Sequence, residues 1–254
     1  MVFIEPVGGL CNRMRTIASA LQVAEIRKDN LTVLWQLDQG LNCKFENLFE
    51  SIPGVIIITF RRYSIKKYVV MQKYRSKSRI YTDIKDMAIL RKEEAPNLYI
   101  KTPHQFMKDI EFDSFVPHIE FENAAKKVLG GCSKIIGIHI RRTDNVKSII
   151  NSPTEQFIDE IQKRIQEDSD VRFFLATDSE AEEKEILTQF GNKILVQKGK
   201  DLSRNSTTGI QNALVDLLCL SYCDEIWGSY WSSFSETAAA WHGKKNLRII
   251  SLKG

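Results

Sequence analysis

The sequence is poor in residues that staple or ligate. Its 254 residues hold 5 cysteines, 6 prolines and 4 histidines. The cysteines (Cys11, Cys43, Cys132, Cys219, Cys223) are odd in number, and their spacing fits neither a zinc ribbon nor a CxxC redox pair. A disulfide framework is therefore excluded, and a reduced, cytoplasmic protein is expected. His104, His118 and His242 are too scattered to suggest metal or triad chemistry, and neither a Walker loop nor a Gly-x-Ser-x-Gly elbow occurs. The longest apolar runs, such as Gly54–Phe60, fall far short of the roughly 20 residues of a membrane-spanning helix. Met1–Val7 has no basic n-region and reads as a strand, so no signal segment is expected. The sequons at Asn30 and Asn205 would matter only in a secretory compartment, which nothing else supports.

What remains is ordinary globular composition, with 43% apolar and 27% charged residues. The length suits one large or two modest domains. A balance of 36 basic to 32 acidic residues gives +4, which allows anionic partners without demanding nucleic acid. One stretch departs from this balance: Arg61–Arg79 carries eight basic residues, three tyrosines and no acid. Such segments bind nucleic acid, anionic lipid surfaces or polyanionic glycans, and the plain alternative is a solvated surface helix or loop.

From about Ser133 onward, short apolar runs alternate with amphipathic stretches, the pattern of a parallel sheet covered by helices. Strands are predicted at 134–140, 171–176, 193–196, 225–228 and 247–251, with helices near 154–168, 179–190, 209–222 and 233–242. Ser152-Pro-Thr-Glu155 and Ser179-Glu-Ala-Glu182 have capping-box spacing, with Pro153 at the first helical position. The N-terminal half opens similarly: strand 2–7, a Gly8-Gly9 turn, a helix from Asn12 to about Arg27, and strand 31–35. Strands at 55–60 and 98–101 follow, but the stretch between them does not resolve from periodicity. A break near Gly130-Gly131 divides the chain into 1–130 and 131–254.

In Ile135–Arg141, period-two alternation puts Gly137, His139 and Arg141 on one face and Ile136, Ile138 and Ile140 on the other. Arg142 and Asp144 follow at the carboxyl end. Ligands of open α/β sheets bind there, so the adjacent guanidiniums form a candidate diphosphate site. Alternatively, one arginine is solvated and the other pairs with Asp144. Asp178 ends the next strand, where it could meet a base or ribose or serve as a helix cap. Ser229–Ser235 brings hydroxyls and backbone amides to a helix start, which suits phosphate, although ordinary capping needs only one of its serines.

Ile138-His-Ile-Arg-Arg-Thr-Asp144 resembles the HxRRTD motif of the alpha-1,6-fucosyltransferases, including the NodZ type. Phe174-Leu-Ala-Thr-Asp178 is similar to that family's second motif. Asn212-Ala-Leu-Val-Asp-Leu-Leu, Asp224 and Ser229–Ser235 are similar to its third. Gly8-Gly-Leu-Cys-Asn-Arg13 resembles the Gly-Gly-Leu-Gly-Asn element of the wider superfamily, with Cys11 in place of the last glycine. The resemblance covers about 120 C-terminal residues and this loop.

The resemblance implies an α/β fold of GT-B type: two Rossmann-type domains with parallel sheets, acceptor-side over 1–130 and GDP-sugar-binding over 131–254. It further implies inverting transfer of fucose from GDP-fucose to a hydroxyl of a glycan or glycolipid, without cofactor or metal. Carried onto this chain, Arg141 and Arg142 hold the diphosphate, and Asp178 and Asp216 seat the nucleotide or order its pocket. Ser232, with Ser233 beside it, contacts phosphate, and His139 supports the pocket. Gly9 belongs to the donor set, and Asn12 lies near the reacting centre with Asp144. Asp168-Ser-Asp170 precedes its strand and does not suit a metal. The chain departs from the alpha-1,6 group after Asp144, where Asn145-Val-Lys-Ser-Ile-Ile150 replaces the lysine and glutamate of that group. The general base is thus unmatched, with Asp144, Glu155 and Glu5 as weak candidates. Another GDP-hexose as donor, or a non-catalytic GDP-sugar or glycan-binding module, is the alternative. For such a transferase, 61–79 suits an anionic membrane surface or acceptor better than nucleic acid, which implies a peripheral position at the inner face of the membrane.

Overall fold

The computed structural model describes residues 1–61, 64–85, 95–132, 134–243 and 246–252. The chain forms two compact units: Met1–His118 with Ser203–Gln211, and Ile119–Leu202 with Asn212–Gly254.

The first unit contains β1 (Val2–Pro6), α1 (Leu10–Arg27), β2 (Leu31–Leu37), β3 (Val55–Arg61), α2 (Ile65–Arg75), β4 (Arg79–Thr82) and β5 (Leu98–Thr102). Its five strands are all parallel, in the order β3-β2-β1-β5-β4. Central β1 is buried along its whole length, as expected for a strand covered on both faces. Helix α1 starts two residues before the expected Asn12, because Gly9 in extended conformation caps it and its carbonyl accepts from Arg13 N. Two elements, α2 and β4, occupy the stretch that periodicity left unresolved. Helix α2 buries Val70 against Phe3, Leu34, Phe60 and Tyr99, yet exposes Ile65, Tyr68 and Val69. Apolar residues on two faces leave no single amphipathic stripe to read. Residues 62 and 63 of the basic segment lie outside the described residues.

The second unit contains α3 (Ile119–Leu129), β6 (Ile135–Ile140), α4 (Val146–Asn151), α5 (Thr154–Glu167), β7 (Arg172–Thr177), α6 (Glu180–Phe190) and β8 (Ile194–Leu195). These are followed by α7 (Thr207–Tyr222, whose first turn belongs to the first unit), β9 (Glu225–Ser229), α8 (Ser233–Ala240) and β10 (Asn246–Ile250). Its sheet is also entirely parallel, ordered β10-β9-β6-β7-β8. The expected alternation along β6 is observed: Ile136, Ile138 and Ile140 join a core with Phe157 and Ile161 of α5 and Ile186 of α6. On the other face Gly137 meets α7, where a Cβ would lie 2.8 Å from Leu220 Cδ2 and 3.3 Å from Cys223 Cβ, so a side chain there would force α7's side chains to shift. The two-sheet parallel α/β architecture agrees with the expected fold class.

Three boundaries differ from expectation. The units divide at His118–Ile119 instead of Gly130–Gly131, since α3 packs with α7, Cys219 Sγ donating to Ala125 O at 3.8 Å. Residues 203–211 return to the first unit, where Asn42 bonds the carbonyls of Arg204 and Asn205 and Gln211 bonds that of Asn47. Ser152 does not cap α5: its hydroxyl donates to Ile250 O and accepts from Tyr230 N, leaving Pro153 as cap residue. The other predicted cap holds, with Ser179 Oγ accepting from Glu182 N at 3.4 Å.

Candidate active site

In the second sheet the chain runs from β6 outward through β7 and β8, then crosses back to β9 on the opposite side. The carboxyl ends of β6 and β9 thus flank a topological switch point, where open α/β sheets leave a crevice for ligands. Arg141–Asn145 and Ser229–Ser235 meet there, Arg141 N donating to Ser229 Oγ at 3.1 Å while that hydroxyl donates to His139 O at 3.1 Å.

Asp178, just after β7, orders the loop that leaves β6. Its Oδ1 accepts from Arg142 N at 2.7 Å, and its Oδ2 from the Thr143 hydroxyl at 2.6 Å and Thr143 N at 3.4 Å. Burial works against its charge. The Thr143 hydroxyl, the Arg142 amide and the Arg141 guanidinium nevertheless hold Asp178 below the usual carboxylate range.

The two guanidiniums engage different carboxylates. Arg141 pairs with exposed Asp144 and lies 3.8 Å from Asp178 Oδ2. Arg142 is enclosed: it bonds Thr154 Oγ1 through Nε (3.2 Å) and Nη2 (2.8 Å), Arg141 O through Nη1 (2.9 Å), and sits 3.2 Å from Glu182 Oε1. Pairing with Asp144, one of the alternatives read from sequence, therefore describes Arg141. Glu182 itself carried no functional signal beyond its place in a capping box. Its side chain turns instead to Arg142 and to the Thr154 hydroxyl at 2.5 Å.

His139 is buried, with Nδ1 3.3 Å from Ser232 Oγ and its ring stacked on Phe234 at 4.8 Å. Burial, and then the Arg141 guanidinium, push the imidazole down to about 3, so it is neutral at pH 7. Ser232 caps α8 by accepting from Phe234 N at 3.4 Å; Ser233, half-buried, opens the helix. Trp231, between these serines and Tyr230, is 63% exposed and has a left-handed backbone (φ 58°). Helix α4 holds it: Asn145 Nδ2 donates to Trp231 O at 2.9 Å, Ser148 Oγ to Tyr230 O at 2.6 Å, and Lys147 Nζ lies 4.3 Å from the indole. This helix spans only six residues, too few for its Val146, Ile149 and Ile150 spacing to stand out as a period, so this support was missed.

Asp216 is buried in α7 behind a network that sequence patterning did not suggest. Lys200 Nζ reaches Asp216 Oδ2 at 3.2 Å and Glu183 Oε2 at 2.9 Å, and the Gln197 amide nitrogen reaches Asp216 Oδ1 at 3.1 Å. Burial pushes Asp216 up to about 6 against the pull of Lys200. Although burial opposes the charge on Lys200 as well, Asp216 and Glu183 together hold it above its ordinary value.

Gly9 and Asn12 belong to the first unit. Gly8 has φ 93°, and a Cβ there would meet Asn12 Nδ2 at 2.7 Å, so the glycine serves both a left-handed turn and a close approach. Asn12 Oδ1 is buried and lacks a hydrogen-bond partner among the described residues. Arg13 clamps this loop from below: Nε donates to Gly8 O at 2.8 Å, Nη1 to Gln36 O at 2.5 Å and Nη2 to Asp38 at 3.1 Å. Its position in the Gly8–Arg13 motif was visible in the sequence; its structural task was not. Of the base candidates, Glu5 is occupied by the Tyr99 hydroxyl at 2.5 Å and Lys101 at 2.9 Å, whereas Glu155 is exposed on α5.

Neither a family model nor a curated protein matches this chain. Among solved structures it is similar to NodZ alpha-1,6-fucosyltransferase co-crystallised with GDP (TM-score 0.62, 18% identity, 93% of this chain and 91% of that one). It is also similar to POFUT1 in complex with GDP-fucose (TM-score 0.60, 12% identity, 98% and 97%) and to an Arabidopsis thaliana FUT1 mutant in complex with GDP (TM-score 0.63, 15% identity, 98% and 69%). At these identities the likeness is one of fold alone, shared with these solved fucosyltransferase structures.

Proposed function

We propose that this chain, having the fold of the fucosyltransferases, is an inverting, metal-independent glycosyltransferase that moves fucose from GDP-fucose to a hydroxyl of a glycan or glycolipid. The observation that carries this reading is the meeting of Arg141, neutral His139 and the Ser232-capped start of α8 at the β6/β9 switch point. The motifs quoted above occupy those same positions, and fold neighbours were crystallised with GDP or GDP-fucose.

As the acceptor hydroxyl oxygen bonds to the fucose anomeric carbon from the face opposite GDP and gives its proton to Asp144, the bond from that carbon to the donor phosphate oxygen breaks; GDP leaves with the bonding pair and its diphosphate gains negative charge. In this reading the Arg141 guanidinium and the amides and hydroxyls of Ser232 and Ser233 stabilise that charge by preorganised hydrogen bonds. Arg142 is a positioning residue: its side chain ties the loop to Thr154 and Glu182. Asp178 sets the loop's backbone, and Asp216 orders the pocket from within through Lys200. A neutral His139 adds a hydrogen-bonding ring without a competing charge. Gly9 and Asn12, in the first unit, are assigned to the donor side and the reacting centre by the motif resemblance alone; Asn12 Oδ1 is a buried acceptor without a partner among the described residues. Asp144 serves as the base once phosphate takes its place on Arg141.

A second reading, a GDP-sugar-binding module without turnover, rests on Asp144 being engaged by Arg141. Calorimetric titration with GDP, GDP-fucose, GDP-mannose and a UDP-sugar, in EDTA throughout, tests the donor side. Guanine-selective, metal-free binding is expected, and a folded sample that binds none of these would remove the proposal. Donor hydrolysis or transfer then separates enzyme from module.

A further inference from the structure

The basic segment has no part in the site above, yet its charge is exceptional for this chain. Of 36 basic residues eight lie in 61–79, where there is no acid; the remainder therefore has 28 basic against 32 acidic residues, a net charge of −4. The positive excess of the protein resides in this one segment.

Within it, α2 uses Val70 and Tyr74 to pack on its own sheet. On the opposite side Ile65 is 85% exposed, Tyr68 67% and Val69 57%. Ile65 and Val69, four residues apart, share one stripe with Tyr68 beside it. By helical spacing Lys66 and Lys73, both exposed, flank that stripe on one side, Lys66 Nζ donating to Thr59 O at 2.7 Å; Arg75, on the other, is exposed with its guanidinium 5.3 Å from the Tyr99 ring. The helix begins beside a cavity of about 720 Å³ lined by Phe45, Phe49, Ile52, Val55 and Ile57, to which Arg61 and Lys66 contribute. An apolar stripe between cations, next to an apolar hollow, matches the layered chemistry of a bilayer surface: phosphate outside, acyl chain beneath. A soluble polyanion would satisfy the cations and leave the aliphatic stripe in water.

We infer that α2 and the basic residues around it dock this protein on an anionic phospholipid surface, Ile65, Tyr68 and Val69 entering the headgroup layer while the flanking cations meet lipid phosphates. Among the described residues no helix is long and apolar enough to cross a membrane. The inference does not depend on the proposed catalytic activity.

Co-sedimentation of the full chain with phosphatidylcholine vesicles, with and without phosphatidylserine, tests it. Binding is expected to require phosphatidylserine and to weaken with added salt. A charge variant (Lys66→Gln/Lys73→Gln/Lys77→Gln) should lower partitioning by about a hundredfold, roughly fivefold per cation. An apolar variant (Ile65→Ser/Val69→Ser), with charges intact and its fold checked by thermal melting, should also lose binding. Failure of the wild type to sediment with anionic vesicles, or equal binding by wild type and both folded variants, would overturn the inference. So would variant-sensitive binding to heparin or RNA without vesicle binding, which assigns the patch to a soluble polyanion.

Discussion

Gly228 in β9 offers a direct test of how the start of α8 is held. A Cβ there would lie 2.5 Å from Ser235 Oγ, 2.7 Å from Ser235 Cβ and 3.3 Å from Leu247 Cδ1. Ser235 is fully buried in the first turn of α8, and its hydroxyl donates to Ser232 O at 3.2 Å, so it cannot rotate away freely. In Gly228→Ala the helix start must move, carrying Ser233 with it and Ser232 from its place beside His139. Overpacking of this kind costs about 1–3 kcal/mol, or roughly 2–10 °C of melting temperature for a chain of this size. Ser235→Gly removes both closest atoms at a cost of about 1 kcal/mol for glycine in a helix. The double variant should therefore be more stable than the two single effects predict, with a coupling of about 1 kcal/mol or more. Thermal melts of the four proteins measure the cycle, and GDP titration on the same samples measures the site. Affinity should fall in Gly228→Ala and recover at least in part in the double variant. A Gly228→Ala protein within about 0.5 kcal/mol of wild type, with unchanged GDP affinity, would refute this account of α8.

Three further outcomes follow from the site. Arg141→Ala and Arg141→Lys should both weaken GDP binding by tenfold or more, since an ammonium cannot reproduce the planar donor fork, about 1.5–3 kcal/mol per charge-assisted bond; calorimetry showing lysine to be equivalent would remove that role. Lys200→Met should cost about 3–5 kcal/mol in chemical denaturation by leaving Asp216 and Glu183 without their buried partner, and Asp216→Asn added to it should restore part of the loss; an unchanged midpoint would show that the pair is not structural. For His139 the folded value of about 3 lies below the unfolded value near 6.5, so the unfolded state takes up the proton first and stability falls as pH drops from about 6.5 toward 3. His139→Gln should remove a slope of up to about 1.4 kcal/mol per pH unit in that window, and coincident stability–pH curves for the two proteins would contradict a buried neutral imidazole.

Local pattern carried much of this protein. The alternation of Ile136, Ile138 and Ile140 against Gly137 and His139, the Ser179 cap and the order of strands and helices after residue 133 all arise from periods of 2 and 3.6 residues, which neighbouring residues express by themselves. Strand-end positions brought Arg141, Asp178 and Ser229 together in the reading of the sequence, as in the fold, because a parallel sheet aligns its carboxyl ends. What the tertiary structure alone decided depends on segments distant in sequence. Arg142 is tied down by Thr154 and Glu182, Asp216 by Lys200, and Ser152 by strand β10, through contacts that exist only once the crossovers have closed. Helix α2 escaped periodic analysis because it is apolar on two sides, one for its own sheet and one exposed. The unit boundary escaped it too, since whether α3 or residues 203–211 belong to one core or the other is set by packing area and hydrogen-bond partners, which leave no mark on the linear pattern of either segment.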